Sequence, residues 1–377
     1  MRLLRFVALR SRRGAYGGPA DTALNQARLA AAHGHDVTLF SATLEGDEPQ
    51  GAGDSPVQEV TARARVLIPR LGFFSLFSAR ALKTAWILLR DTDLIHISYC
   101  REALPLAVAL MSVMRGVPMV LQPHGMLTAR RGPRQRTLDV IARPIFRRAG
   151  SVIALTENER AELESWCPRF RGVMHVVGNP SLRLPDGVKA VSVTNEALFI
   201  ARLEPRKRVE DFVAAAEVSA DRRRPVRYVI VGPDQGDWEK IATRVRACGS
   251  LTYEGAIPSE SVPRRLARAG VFVLPSWKEP WGNVLVTALS LGVPVVVPKS
   301  AALSSTIAAY GAGAVVNDGA PDEIATAVER LLFDPEARAR ARQGALDLYA
   351  EKLGDEAVWA SLRTVYDENF AQHPAKR

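Results

Sequence analysis

Cysteine is scarce in this 377-residue chain: Cys100, Cys167 and Cys248 lie far apart, with neither metal-ligand spacing nor a disulfide framework. That usage fits a reduced, cytosolic compartment. No apolar run approaches the length needed to span a bilayer. The opening Met1-Arg-Leu-Leu-Arg-Phe-Val-Ala-Leu-Arg10 is basic, but its apolar stretch is too short and interrupted for a signal peptide. It reads as a first buried strand. No Gly-x-Gly-x-x-Gly follows that strand, which counts against a dinucleotide dehydrogenase. A Walker loop, a zinc spacing, a Ser-His-Asp arrangement and the paired carboxylates of a glycosidase are missing too. No repeat of solenoid period occurs.

What is present is an ordinary globular composition, 47% hydrophobic and 24% charged. The length is too great for one core, so two domains are expected. Charge is uneven. Residues 1–180 hold 24 Lys and Arg against 15 Asp and Glu, nearly all of the net +10. The densest stretch runs from Arg130 to Arg148, with seven arginines and one acid, Asp139. Leu138, Ile141 and Ile145 recur there at helical spacing. Such a segment suits either an anionic membrane surface or an Arg-rich solvated helix face. No recognition module accompanies the charge, so nucleic acid is not an expected partner.

Strands and helices alternate throughout, the pattern of parallel sheets covered on both faces. In the first half strands are predicted at Leu4–Leu9, Val37–Ser41, Asp93–Ile97, Met119–Gln122, Val152–Leu155 and Met174–Val177. In the second they are Ala197–Ala201, Arg227–Val231, Leu251–Tyr253, Val271–Leu274, Val293–Val297 and Ala314–Val316. Asn179 to Gly187, rich in turn formers, is the candidate linker. A last helix is predicted over about 356 to 370.

Five places carry chemistry, the last a pair of loops. After the strand ending at Leu274, Pro275-Ser-Trp-Lys-Glu-Pro-Trp-Gly282 brings an acid, Glu279, and a glycine to a helix start, and Gly292-Val-Pro294 turns into the next strand. Amides at a helix N-terminus bind anions, and a carboxylate beside them binds hydroxyls. Phe199-Ile-Ala-Arg-Leu-Glu-Pro-Arg-Lys207 runs from a strand into Arg202 and Lys207, a fork and a point charge suited to a diphosphate. The alternative for Arg202 is a structural salt bridge, and Arg206 and Arg208 are read as solvated. Gly14-Ala-Tyr-Gly-Gly-Pro-Ala20 puts Gly17 and Gly18 at a helix start, where backbone approaches a ligand closely. Gln122-Pro-His-Gly-Met-Leu127 sets His124 past a strand end, either to bond a ligand hydroxyl or to fix the loop. His96 reads as a satisfied buried histidine. Val229-Ile-Val-Gly-Pro-Asp234 and Tyr253-Glu-Gly-Ala-Ile-Pro258 form two more strand-then-loop units.

Together these loops resemble the retaining glycosyltransferases of family 4, and Pro123-His-Gly-Met-Leu127 is similar to a turn in bacterial polysaccharide members. The resemblance implies the GT-B fold: α/β, two Rossmann-like doubly wound domains facing each other across a cleft. It implies an acceptor-side domain over 1–182, with the helix at about 356–377 packing back on it, and a donor-binding domain over 183–355. A nucleoside-diphosphate sugar is the implied donor and a glycan or lipid-linked acceptor the implied partner, with neither metal nor cofactor. Arg202 and Lys207 would hold the diphosphate. Glu279 would orient the sugar ring. Amides around Trp281, Gly282, Asn283 and Val284 would bind phosphate and sugar, Ala256 and Ile257 would border the base, and His124 would serve at the reacting sugar. The family carries a second Glu eight positions after the first, for the ribose hydroxyls, where this chain has Thr287. The shorter neutral side chain implies weaker donor binding, or a catalytically silent sugar-nucleotide-binding or scaffold protein of the same fold. An epimerase of that fold would need acidic groups that the sequence does not display. The expected location is cytoplasmic, on the inner face of the membrane if the basic stretch docks there.

Overall fold

A computed structural model of the chain describes residues 1–11, 18–48, 56–127, 133–182, 184, 187–188 and 194–372. Gly17, Arg130 and Arg131 lie outside the described residues. The chain divides into two compact units, Met1–Asn179 with Val358–Arg377, and Pro180–Ala357.

The first unit holds β1 (Arg2–Leu9), β2 (Asp36–Thr43), β3 (Gln58–Arg63), a short antiparallel pair β4 (Arg65–Val66) and β5 (Leu76–Phe77), then β6 (Leu94–Ser98), β7 (Met119–Gln122), β8 (Ser151–Ala154) and β9 (Val173–Val176). Seven of these make one parallel sheet in the order β3-β2-β1-β6-β7-β8-β9. Its central strands are apolar runs buried on both faces, as a covered parallel sheet requires. Helices α1 (Gly18–Ala32), α2 (Ala79–Leu88), α3 (Ala103–Arg115), α4 (Pro133–Phe146) and α5 (Glu157–Trp166) supply the covering layers. Alanines 23, 27 and 30 of α1 join Val358, Trp359, Leu362 and Tyr366 of the C-terminal helix, Asp355–Gln372, in one core layer. The opposite layer takes side chains from α2 to α5.

The second unit holds β10 (Glu196–Ile200), β11 (Arg227–Val231), β12 (Leu251–Tyr253), β13 (Val271–Val273), β14 (Val295–Pro298) and β15 (Gly313–Val316). They form a parallel sheet in the order β12-β11-β10-β13-β14-β15. Its helices are α6 (Val209–Asp221), α7 (Trp238–Ala247), α8 (Val262–Leu266), α9 (Asn283–Ser290), α10 (Ser304–Tyr310), α11 (Pro321–Phe333) and α12 (Pro335–Leu348). Two Rossmann-like α/β units follow, as the sequence pattern requires. Their strand orders reverse between β1 and β6 and between β10 and β13. At such a reversal the loops leaving adjacent strands diverge and open a ligand crevice.

All twelve predicted strands are present, with ends moved by a residue or two. Sequence reading missed three strands: the two-residue pair β4 and β5, and β3, an edge strand of the large sheet. The polar run of β3, Gln-Glu-Val-Thr-Ala-Arg, has only Ala62 fully buried and is held by pairing to β2.

The basic stretch needs correction. In α4 the buried face is Ala142, Ile145 and Phe146, whereas Ile141 is 55% exposed and Val140 73%. Leu138, Ile141 and Ile145 fall on one stripe of the helix, but Ile141 lies at its solvent margin beside the exposed Val140, while Ile145 is buried and Leu138 half-buried. The single acid, Asp139, turns inward to Arg101 at 2.6 Å and accepts from Trp166 Nε1 at 3.0 Å.

Candidate active site

In the second unit the loops after β10 and β13 leave on either side of the strand-order reversal. The β10 loop passes through Arg202 into a short turn, Pro205–Lys207, and enters α6 after Arg208 in a left-handed conformation, φ 52°. The β13 loop ends at Gly282, φ 80°, just before α9. A side chain at Gly282 would be strained by that φ and would crowd Leu285, Leu274 and Glu279. Trp277 N–H donates to Arg206 O at 2.9 Å and joins the two loops.

That junction brings Lys207 Nζ to 2.6 Å from Glu279 Oε2, with Arg206 Nη1 4.0 Å from the other carboxylate oxygen. Glu279 is 5% exposed. Burial works against its ionisation, but Lys207 and Arg206 outweigh that and hold its carboxyl below the ordinary range. Arg206, read from the sequence as solvated, thus faces the acid. No local signal marks it, because the contact depends on the neighbouring loop. Arg208 makes two bonds to Asp211, at 2.6 and 2.9 Å. Arg202 turns to Glu204 at 3.3 Å and Gln235 at 3.5 Å and stays partly exposed.

Around this pair lie further groups of the predicted set. Trp281 is buried, and its Nε1 has no partner among the described residues. Asn283 and Val284 occupy the first turn of α9, where amides have no intrahelical acceptor. Thr287 is wholly buried: its hydroxyl donates to Asn283 O at 2.9 Å and accepts from Leu182 N–H at 3.2 Å. Ala256 is exposed and Ile257 half-buried in the loop after β12. That loop is joined to the β11 loop by Gly232 N–H donating to Gly255 O at 2.9 Å. Gly232 is required there, since a Cβ would fall on the Ala201 carbonyl oxygen.

The first unit builds a second polar centre at the carboxyl ends of β6 and β7, beside the middle of β1. His124 sits in a left-handed turn, φ 53°, and is 8% exposed. Glu159 on α5 secures that turn by accepting from Gly125 N–H at 2.6 Å and Leu155 N–H at 2.7 Å. His124 Nε2 lies 3.1 Å from Ser98 Oγ, and Ser98 Oγ accepts from Arg5 at 2.9 Å. Burial and then the charge of Arg5 push the His124 imidazole well below its ordinary pKa. His96 is fully buried and bonds Tyr366 at 2.8 Å through Nδ1. Gly18 opens α1. Sequence reading passed over Glu102, which precedes α3 and whose pKa burial pushes up to about 7 against a bond from Cys100.

Comparison with known proteins agrees with this architecture. Residues 17–180 match the glycosyl transferase 4-like domain and residues 188–347 match glycosyl transferases group 1. An alpha-D-kanosaminyltransferase of Streptomyces kanamyceticus is 29% identical over 69% of this chain and 72% of its own length. A 2-deoxystreptamine glucosyltransferase of the same organism is 25% identical over 58% of this chain, which spans 62% of that relative. Among solved structures, sucrose-phosphate synthase of Thermosynechococcus elongatus superposes with a TM-score of 0.74 at 20% identity, over 98% of this chain and 99% of that one. Anabaena HepE, solved in complex with UDP, gives 0.72 at 15% identity over 97% and 100%. Two consecutive family domains, two parallel Rossmann-like sheets and these neighbours make the chain a member of the family 4-like glycosyltransferases of GT-B type.

Proposed function

We propose that this chain transfers a hexose-type sugar from a nucleoside-diphosphate sugar to a glycan or lipid-linked acceptor with retention of configuration and without a metal. The observation that carries the reading is the buried Lys207–Glu279 pair at the strand-order reversal of the second unit. A cation and an acid held together there match the two ends of a sugar diphosphate. Lys207 and Arg202 would neutralise the phosphates, a role that the partial exposure of Arg202 leaves open. Glu279, kept ionised by its cations, would accept from sugar hydroxyls. The first-turn amides of α9 and the unpartnered Trp281 Nε1 would complete the cradle.

In the reaction the bond between the sugar's anomeric carbon and the phosphate oxygen breaks, and its electron pair leaves on the diphosphate. The acceptor hydroxyl oxygen bonds to that carbon from the same face and passes its proton to the departing phosphate. His124 would contact the reacting sugar, with Gly17 and Gly18 approaching donor phosphates and acceptor. Ala256 and Ile257 would border the base. Thr287 would serve the donor site indirectly, since its hydroxyl is committed to backbone. The second unit is thus the donor domain in this reading and the first the acceptor domain, with an expected cytoplasmic location.

The outward face of α4 supports an anionic membrane surface as a partner. It presents Val140 and Ile141 between Arg136 and Arg147, while Asp139 is turned away. No helix among the described residues is long and apolar enough to cross a membrane.

The test is calorimetric titration with UDP, GDP, ADP and TDP, repeated on Arg202→Ala and Lys207→Ala. Selective binding lost in both variants is the expected result. Absence of binding to any nucleotide by the parent chain would overturn the donor site.

A further inference from the structure

Arg5 is an anomaly: an arginine with 0% exposure in the middle of a central strand, bonded to neutral groups only. Its Nε donates to Gln26 Oε1 at 3.1 Å, and Gln26 Nε2 donates onward to Gln122 Oε1 at 3.0 Å. Its Nη1 reaches the carbonyls of Phe6 and His96, and its Nη2 reaches Ser98 Oγ. A guanidinium can only donate, so every partner of Arg5 must accept. A buried charge of this kind is costly, and its bonds impose a direction on the groups around it.

From this we infer that Arg5 and Ser98 are positioning residues that fix His124 as a neutral imidazole with its proton on Nδ1. The inference rests on the sugar-contact reading of His124 only for its catalytic consequence. Ser98 Oγ accepts from Arg5 at 2.9 Å, which leaves its own hydrogen to place. Among the described residues the one acceptor within reach is His124 Nε2 at 3.1 Å. Either tautomer leaves one buried hydrogen without a partner among the described residues, but the Arg5 charge on Ser98 Oγ polarises the serine O–H toward Nε2 and disfavours a second N–H donor on that oxygen. Nε2 therefore accepts, and Nδ1 carries the hydrogen. The Nδ1 atom is buried without a partner among the described residues, as a donor awaiting a ligand oxygen would be. The ring is enclosed by Arg5, by His96 and, one residue along, by the carboxylate of Glu159 on Gly125 N–H. Glu159 is spent on two backbone amides. His124 thus offers a substrate oxygen a hydrogen bond from Nδ1–H. It does not remove the acceptor proton.

The experiment is nitrogen-15 NMR of histidine-labelled protein, with the His124 signals among the six histidines assigned by His124→Gln. The expected spectrum shows His124 Nε2 unprotonated and Nδ1 protonated, unchanged from about pH 5.5 to 8.5, across the range where a free imidazole titrates. Ser98→Ala should populate the Nε2–H form and lower kcat about tenfold, the weight of one hydrogen bond, with nucleoside-diphosphate affinity unchanged. Ser98→Thr, which keeps the hydroxyl, should restore both tautomer and rate. Arg5→Met should release the same constraint; if it does not fold, the serine pair still decides. A protonated Nε2 in the parent protein, or a His124 titrating near its ordinary pKa, would overturn the inference. The tautomer is read without substrate, so a failure of the proposed transfer reaction would register separately, as parent protein with no turnover.

Discussion

Lys207 and Glu279, 72 residues apart in the chain, meet at 2.6 Å because their loops leave adjacent strands β10 and β13. Each is nearly buried, with side chains 12% and 6% exposed. Removing one partner strands the other's charge away from water.

Lys207→Met should therefore destabilise the protein by about 3–5 kcal/mol, and Lys207→Met with Glu279→Gln should recover much of that loss. Urea denaturation of the parent, Lys207→Met, Glu279→Gln and the double variant checks this. Glu279 has a depressed pKa in the folded state, so its contribution is present above the ordinary value of 4.5 and is lost as pH falls through the folded value. Glu279→Gln should accordingly flatten the acid limb of the stability curve below about pH 4.5.

Thr287 stands where the family resemblance implies an acid, and its hydroxyl is spent on Leu182 N–H and Asn283 O. Thr287→Val should leave the Leu182 amide unpaired and cost about 1–3 kcal/mol of stability. Nucleotide affinity should change less than about threefold, under the weight of one hydrogen bond. A larger loss of affinity at unchanged stability would show a direct ligand contact.

Glu102 carries the opposite pH signature to Glu279. Its folded pKa of about 7 lies above the ordinary 4.5, so the stability linked to its proton is lost as pH rises between those values. Glu102→Gln should raise the melting temperature at about pH 8 and leave it nearly unchanged at about pH 5, where the carboxyl is protonated in the fold. Paired thermal melts at the two pH values settle it.

Arg147→Glu with Arg148→Glu should weaken retention on vesicles rich in acidic lipid, since each arginine near such a surface contributes about 1 kcal/mol. A loss of about thirtyfold or more is expected for the pair at low salt. Val140→Ser with Ile141→Ser should weaken it through lost apolar burial. Sedimentation with neutral vesicles is the control, and equal retention by neutral and acidic vesicles would remove the anionic surface from the list of partners. High salt should suppress the binding of the parent chain as well.

The sequence by itself determined the alternation of strands and helices, the two sheets and the loops at the strand ends. Those features are local: a buried strand needs an apolar run, and a loop past its end needs Gly, Pro or a charge. Twelve strands and the loops of Glu279, Lys207 and His124 were legible on that basis. Strand β3 was not, because an edge strand with one buried face position has little apolar signal and is held by its neighbour. Helical spacing likewise showed that α4 is amphipathic without showing which way it turns, and the packing of Ala142 and Phe146 sent Ile141 outward.

Partnerships were decided only by the tertiary structure. Arg5 reads as one of several basic residues at the start of the chain, yet strand pairing carries it beside Ser98, 93 residues on, and so next to His124. Thr287 found Leu182 across 105 residues, and Arg206 came to face Glu279 across two loops. A side chain's hydrogen-bond partner depends on which strands lie adjacent. Strand order follows from packing the whole sheet at once, and no local window of sequence contains it.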